Sequence, residues 1–363
     1  MNFMMKDLPY YLALAATPGI GPARFKILLS HFKEAENVWK ADARVLQKIL
    51  TPKLFLQFTK FRKSFDIGRY LERISKSNIK VLTLLDKSYP KLLREIADPP
   101  PVLYIRGELP HSRRIIGVVG TRKMTSYGRE ATEILVRDLV NMGFTVVSGL
   151  ARGVDSHAHR VTMKSGGQTI AVLGGGVDRV YPAENEPLAR EIAGGKGAVI
   201  SEFPIGMDSV PGNFPARNRI ISGLSLGVLV TEAGEDSGSL ITAGLAAEQG
   251  REVFAVPGPI YSKLTAGPAK LIKEGAKLVT KVEDILEELN LDTKIESTDI
   301  RKITADSIEE QNILDLMEDG PIHVDEITRE SKLSPSKVGS LLSMMEIKGK
   351  IKSLGSGSYS LVR

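Results

Sequence analysis

Between residues 111 and 290 the chain alternates between short β-branched runs and amphipathic helical patterns, and this alternation constrains its fold more than any other feature. The runs are Ile115 to Val119, Thr145 to Ser148, Thr169 to Leu173, Ala198 to Ser201, Leu226 to Thr231 and Glu252 to Val256. Each is nearly continuously apolar, as a strand covered on both faces must be. A helical stripe follows most of them; Ala131, Leu135 and Leu139 form the first. The pattern predicts an α/β protein with a doubly wound, mostly parallel sheet. Ligands of such sheets lie beyond the C-terminal strand ends, so the loops there are the places to look for function.

The flanks differ in texture. Residues 1–110 carry 19 basic and 10 acidic side chains, 111–290 carry 20 of each, and 291–363 carry 10 and 13, so the formal net charge of +6 is N-terminal in origin. The first segment, 1–78, reads as a helical domain, and Thr17-Pro-Gly-Ile-Gly-Pro-Ala-Arg24 has the form of a helix-hairpin-helix or SAM-like turn in which Gly19 and Gly21 offer backbone N–H groups to phosphate. A helix turn inside a packing domain is the alternative. Residues 79–112, with strands at Lys80 to Leu84 and Val102 to Arg106, read as a connecting element to the core, which ends at 290. Residues 291–304 have the composition of a linker. In 305–363, three helices precede a terminal hairpin, the winged-helix pattern, with Val338, Leu341, Leu342 and Met345 as an apolar stripe. The absence of cysteine excludes disulfides, thiolate metal sites and a cysteine nucleophile. No run approaches the ~18 apolar residues of a membrane span, and the start lacks a basic signal-peptide region, so a soluble cytoplasmic protein is expected.

Five strand-end loops have an anion-binding character. Gly120-Thr121-Arg122 joins a close-approach glycine, a hydroxyl and a planar cation beside a helix start; a tight turn with a solvated arginine is the bland alternative. Ser148-Gly149-Leu150-Ala151-Arg152-Gly153-Val154-Asp155 brackets a second arginine with glycines, Asp155 serving as helix cap or as partner to Arg152. His157 and His159 are two apart in a helix, face different sides, and make no metal site. Gly174-Gly175-Gly176 fits neither the dinucleotide spacing nor the P-loop, so no nicotinamide or ATP cofactor is expected. Asn213-Phe214-Pro215-Ala216-Arg217-Asn218-Arg219 opens a helix with an asparagine cap and puts an aromatic beside two arginines and an amide, the equipment of a single-stranded nucleic-acid site. Phe214 in the core and arginines in ion pairs are the alternative. Ser237-Gly238-Ser239 supplies hydroxyls and N–H groups at another helix start, and Glu232 precedes it as a base or a cap.

These stretches, with Ala171-Val-Leu-Gly174 through Tyr181-Pro182, Ser201-Glu-Phe-Pro204 and Gly250-Arg-Glu-Val-Phe-Ala-Val-Pro-Gly258, resemble the DNA-processing protein A family (DprA, also called Smf) over about 140 residues. The resemblance implies a Rossmann-like core that binds single-stranded DNA, protects it from nucleases, forms a homodimer and loads the recombinase RecA in transformation or related recombination. It implies that Gly120, Thr121, Arg122, Ser148, Gly149, Phe214, Arg217 and Asn218 line the DNA pocket; Arg152 and Arg219 are further phosphate candidates. One departure is Gly267-Pro-Ala-Lys270, where the family carries Gly-Thr-Asn. The acidic winged-helix segment is expected to bind a partner or regulate. The rival is an enzyme: related Rossmann-like phosphoribohydrolases use a glycine loop and a glutamate near where this chain has Glu232 and Ala233-Gly234-Glu235-Asp236-Ser237-Gly238-Ser239.

Overall fold

The structure is a computed structural model, and it describes residues 2–291, 305–317, 322–331, 333–355 and 357–361. The linker expected at 291–304 lies outside the described residues beyond Leu291. Two compact units result, Met1–Thr293 and Lys294–Arg363.

Six helices open the first unit: α1 (Asn2–Ala15), α2 (Pro22–Phe32), α3 (Ala35–Lys40), α4 (Ala43–Ile49), α5 (Pro52–Ser64) and α6 (Ile67–Lys76). Local chemistry sets their starts: Asp42, Thr51 and Asp66 accept the N–H groups of Arg44, Leu54 and Arg69. Gly19 sits at φ +83° in the turn joining α1 to α2, where a side chain is disfavoured, and the first peptide groups of α2 have no side-chain cap. The core of this region holds Leu12, Leu28, Leu46 and Phe58, but also Tyr104, Val177 and Ile205 of the α/β part. Tyr70 and Tyr104 hydroxyls meet at 2.9 Å in that seam. The N-terminal helices thus pack into the same unit as the sheet.

The sheet and its cover follow as β1 (Lys80–Thr83), α7 (Lys91–Arg94), β2 (Val102–Gly107), β3 (Ile115–Val119), α8 (Ser126–Asn141), β4 (Thr145–Ser148), α9 (Val154–Lys164), β5 (Thr169–Val172), α10 (Glu186–Glu191), β6 (Gly197–Ser201), α11 (Asn213–Leu224), β7 (Gly227–Val230), α12 (Gly238–Glu248), β8 (Glu252–Ala255), α13 (Ala266–Lys273), β9 (Lys277–Leu278) and α14 (Val282–Glu288). Nine strands lie in the order β1-β2-β6-β5-β4-β3-β7-β8-β9. From β6 to β9 all neighbours are parallel; β2 pairs antiparallel with β6, and β1 antiparallel with β2. The segment expected as a connector therefore adds two strands to the sheet. Alternation along β3 shows why the winding is double: Ile116 and Val118 pack with Leu135 and Leu139 of α8 and Ile285 of α14, whereas Ile115 and Val119 pack with Ile220 and Leu224 of α11 and Ala246 of α12. Burying each such side chain contributes about 1.5–3 kcal/mol. The chain lays strands outward from β3 to β6, then α11 carries it back to β7 on the other side of β3. That reversal opens a crevice at the C-terminal ends of β3 and β7.

The second unit has α15 (Ile308–Leu316), β10 (Ile322–His323), α16 (Val324–Ser331), α17 (Pro335–Ile347), β11 (Ile351–Gly355) and β12 (Ser358–Leu361), with β12 between β10 and β11. Val338, Leu342 and Met345 of α17 meet Ile313, Ile327 and Ile351 in its core, and Leu341 packs at the edge. Glu310 is buried against Lys350, and Asp306 is held at about 2 by hydrogen bonds to Lys348 and Lys350.

Candidate nucleic-acid interface

A cleft of about 1090 Å³ occupies the crevice. Its walls come from the loops after β3, β4, β5, β7 and β8 and from the start of α11. Among its lining residues are Gly120, Thr121, Arg122, Phe214, Arg217, Asn218, Ser237, Gly238 and Ser239. A side hollow of about 30 Å³ brings in Gly149 and Arg152.

The floor is locked by backbone contacts. Thr121 N donates to Glu232 O at 2.6 Å and Val154 N to Thr121 O at 3.1 Å, so three loops interlock. Gly120 permits this approach, because a Cβ there would lie 2.6 Å from the Val154 side chain and 2.7 Å from Glu232 O. Ser148 is fully buried beneath the cleft, its Oγ donating to Val118 O at 2.6 Å.

Arg217 is 5 % exposed and forms part of this floor. Its guanidinium donates to Gly149 O at 2.6 Å, to Val172 O and to Asn218 Oδ1 at 3.0 Å. Burial, only partly offset by Asp155, pulls its pKa down to about 10. Asp155 accepts from Gly149 N and Ala151 N, and burial pushes its carboxyl up against the pull of Arg217. Asp155 is thus a loop staple and not a partner of Arg152, which instead makes a two-pronged pair with Glu184 at 2.7 and 2.6 Å on the surface. Arg219 is absent from the cleft: it is buried between Glu202 at 2.6 Å and Asp98 at 2.8 Å. Asn213 is the first residue of α11, not its cap, and its amide donates to Gly174 O at 2.8 Å.

Arg122 is exposed, with its guanidinium carbon 5.8 Å from the centre of the Phe214 ring; that of Arg217 lies at 5.9 Å. Phe214 is half-buried over Gly174 and leans on Tyr181, ring centres 5.8 Å apart. Ser237 caps α12, its Oγ 2.7 Å from that of Ser239. Lys263 also lines the cleft and is exposed, as are Glu235 and Asp236 of the lip. The cleft therefore offers two accessible cations, hydroxyls, peptide groups and aromatic faces, suited to a phosphate-bearing chain with bases. Glu232 is 1 % exposed, and its carboxylate accepts from Thr125 N at 2.9 Å and Thr125 Oγ1 at 2.5 Å, tying down the start of α8. His159 is buried with Nδ1 2.7 Å from Thr169 Oγ1. Among the described residues no cluster of three or more acidic, histidine or cysteine side chains could hold a metal, and no helix is long and apolar enough to cross a membrane.

Comparison with known proteins gives this geometry a context. Residues 80–290 match the family model of DNA recombination-mediator protein A, and 301–357 match the DprA winged helix domain. The chain belongs to the DprA/Smf family. It is 41% identical to Protein Smf of Synechocystis over 287 residues, 77% of this chain and 72% of that protein. Against DNA processing protein DprA of Bacillus subtilis it is 44% identical over 225 residues, 61% of this chain and 75% of the relative. Among DprA structures, that of Streptococcus pneumoniae matches with a TM-score of 0.67 at 35% identity, covering 77% of this chain and 97% of that one. A structure describing the single-stranded DNA binding mode of Helicobacter pylori DprA matches with a TM-score of 0.53 at 29% identity, covering 58% and 95%. In Gly267-Pro-Ala-Lys270, Gly267 N donates to Ala233 O at 2.9 Å and keeps the lip loop seated, while Ala269 is exposed.

Proposed function

We propose that this chain is a non-enzymatic recombination mediator that holds single-stranded DNA in the switch-point cleft, shields it from nucleases and passes it to RecA in the cytoplasm. The observation that carries this reading is the convergence of exposed Arg122 and Lys263, aromatic rings and a capped helix start on one cleft of about 1090 Å³. Its phosphate contacts are Arg122 and Lys263, with Arg152 at the rim; Arg217 shapes the floor. The Helicobacter relative, whose structure describes binding of single strands, supports the assignment. The hydrolase alternative lacks a base in the cleft at Glu232, which is committed to Thr125. A homodimer through the α/β core is part of the proposal. So is a protein-binding role for the winged-helix unit, whose α17 exposes Met344 and Ile347, 51% and 82%, on its outer face.

The test is anisotropy of a labelled oligothymidylate titrated over a salt series, compared with duplex. Arg122→Ala with Lys263→Ala removes two phosphate contacts and should flatten the log–log salt slope by about 1.4, roughly 0.7 per contact. Unchanged affinity and slope refute the cleft assignment. Nucleation of RecA on strands coated with single-strand-binding protein, with and without this chain, tests the loading step.

A further inference from the structure

Two aromatic rings border the cleft, and their surroundings differ. Phe214 has the Arg122 and Arg217 guanidiniums over its ring at 5.8 and 5.9 Å, and it lies so close to Gly174 that a Cβ there would be 3.1 Å from Cδ1. It is only half-exposed, with both guanidiniums against its ring. Tyr181, on the loop after β5, is 55% exposed, and its hydroxyl makes no hydrogen bond among the described residues. Its ring is tilted 42° to that of Phe214, which supports it from one side. Tyr181 lines both the main cleft and the side hollow that contains Arg152.

A base stacks only on a π face that is open to it. On this ground, and resting on the reading of the cleft as a single-strand site, we propose that Tyr181 is its base-stacking platform. Phe214 is the buttress behind it. The strand passes over Tyr181 to the rim of the side hollow, where Arg152 takes the next phosphate in exchange for Glu184. That exchange is open to the strand because Arg152 and Glu184 are both solvent-exposed, and a phosphate can replace the carboxylate as a two-pronged acceptor.

The experiment measures oligothymidylate affinity across a salt series for the full chain and for Tyr181→Ala, Tyr181→Leu and Tyr181→Phe, with unfolding midpoints to verify folding. Loss of one stacked base should weaken binding about 5- to 150-fold in the Ala and Leu variants, with the salt slope unchanged because no charge is removed. Tyr181→Phe should bind within about twofold of the parent, since the face is retained. On an oligomer of abasic residues all four proteins should bind alike. If the parent fails to bind thymidylate, the cleft reading itself falls. If the parent binds and Tyr181→Leu binds equally well, the cleft reading stands and the platform is refuted. A Tyr181→Phe variant as weak as Tyr181→Leu also refutes it, by pointing to the hydroxyl.

Discussion

Replacing Arg217 by Met tests whether this arginine is a floor element or a ligand. Methionine keeps most of the apolar stem but removes the donors to Gly149 O, Val172 O and Asn218 Oδ1. Two of those acceptors are buried carbonyls, and each left unsatisfied costs about 1–3 kcal/mol. The change also takes the nearest positive charge from Asp155, which burial already pushes toward its neutral form. Together these give an expected loss of about 3–5 kcal/mol, the range for breaking a buried charge pair from one side. Urea unfolding of the full chain, followed by far-ultraviolet dichroism, measures it. Asp155→Asn placed on Arg217→Met should cost much less than Asp155→Asn alone, because the carboxylate no longer depends on the arginine. If Arg217→Met is as stable as the parent within about 1 kcal/mol yet loses strand affinity as Arg122→Ala does, the burial argument is wrong and Arg217 is a direct ligand.

Three further outcomes are expected. Gly149→Ala places a Cβ 2.5 Å from the pinned Arg217 guanidinium, and should destabilise by about 1–3 kcal/mol in urea unfolding, with a smaller effect in the Arg217→Met background. His159, buried and pulled from 6.5 to about 3 by desolvation, stays neutral in the folded chain while the unfolded chain takes up a proton below pH 6.5. Stability is therefore lost as pH falls from 6.5 toward 3. At pH 4.5 this one group should account for a loss of about 3 kcal/mol that is missing in His159→Asn; parallel pH profiles for the two proteins would count against it. Glu232→Gln should weaken the seating of α8 by about 1–2 kcal/mol and leave strand affinity within about twofold, since its carboxylate faces Thr125 and not the cleft. A base-releasing activity on nucleotides that vanished in this variant would revive the hydrolase reading.

How much of this was legible in sequence depends on whether the signal was local. The six apolar runs and the helix start at Ser237 are short-range patterns, and the structure has strands and a cap there. Arg217 and Arg219 show where local reading stops. At 100° per residue they are 200° apart around α11, so one helix cannot aim both into one cleft. Both are buried, and that Arg219 is held away from the cleft depends on Asp98 and Glu202, distant in sequence. Lys263 went unseen because the loop after β8 has prolines and a glycine but no arginine motif. Tyr181 stood within a recognised loop, yet its exposure depends on how Phe214 packs beneath it. The addition of β1 and β2 to the sheet could not be read either, since short strands do not announce their partners.

The two strands that close the sheet at its ends have a further consequence. At one margin stands β1, four residues long, with Lys80 at its start, and at the other stands β9, only two residues long. Neither offers a run of unsatisfied backbone long enough to template a neighbouring molecule, the route by which open sheets polymerise. Any association through this sheet is thereby left to side-chain surfaces, which can be tuned or abolished by single substitutions without touching the hydrogen-bonded ladder that shapes the cleft.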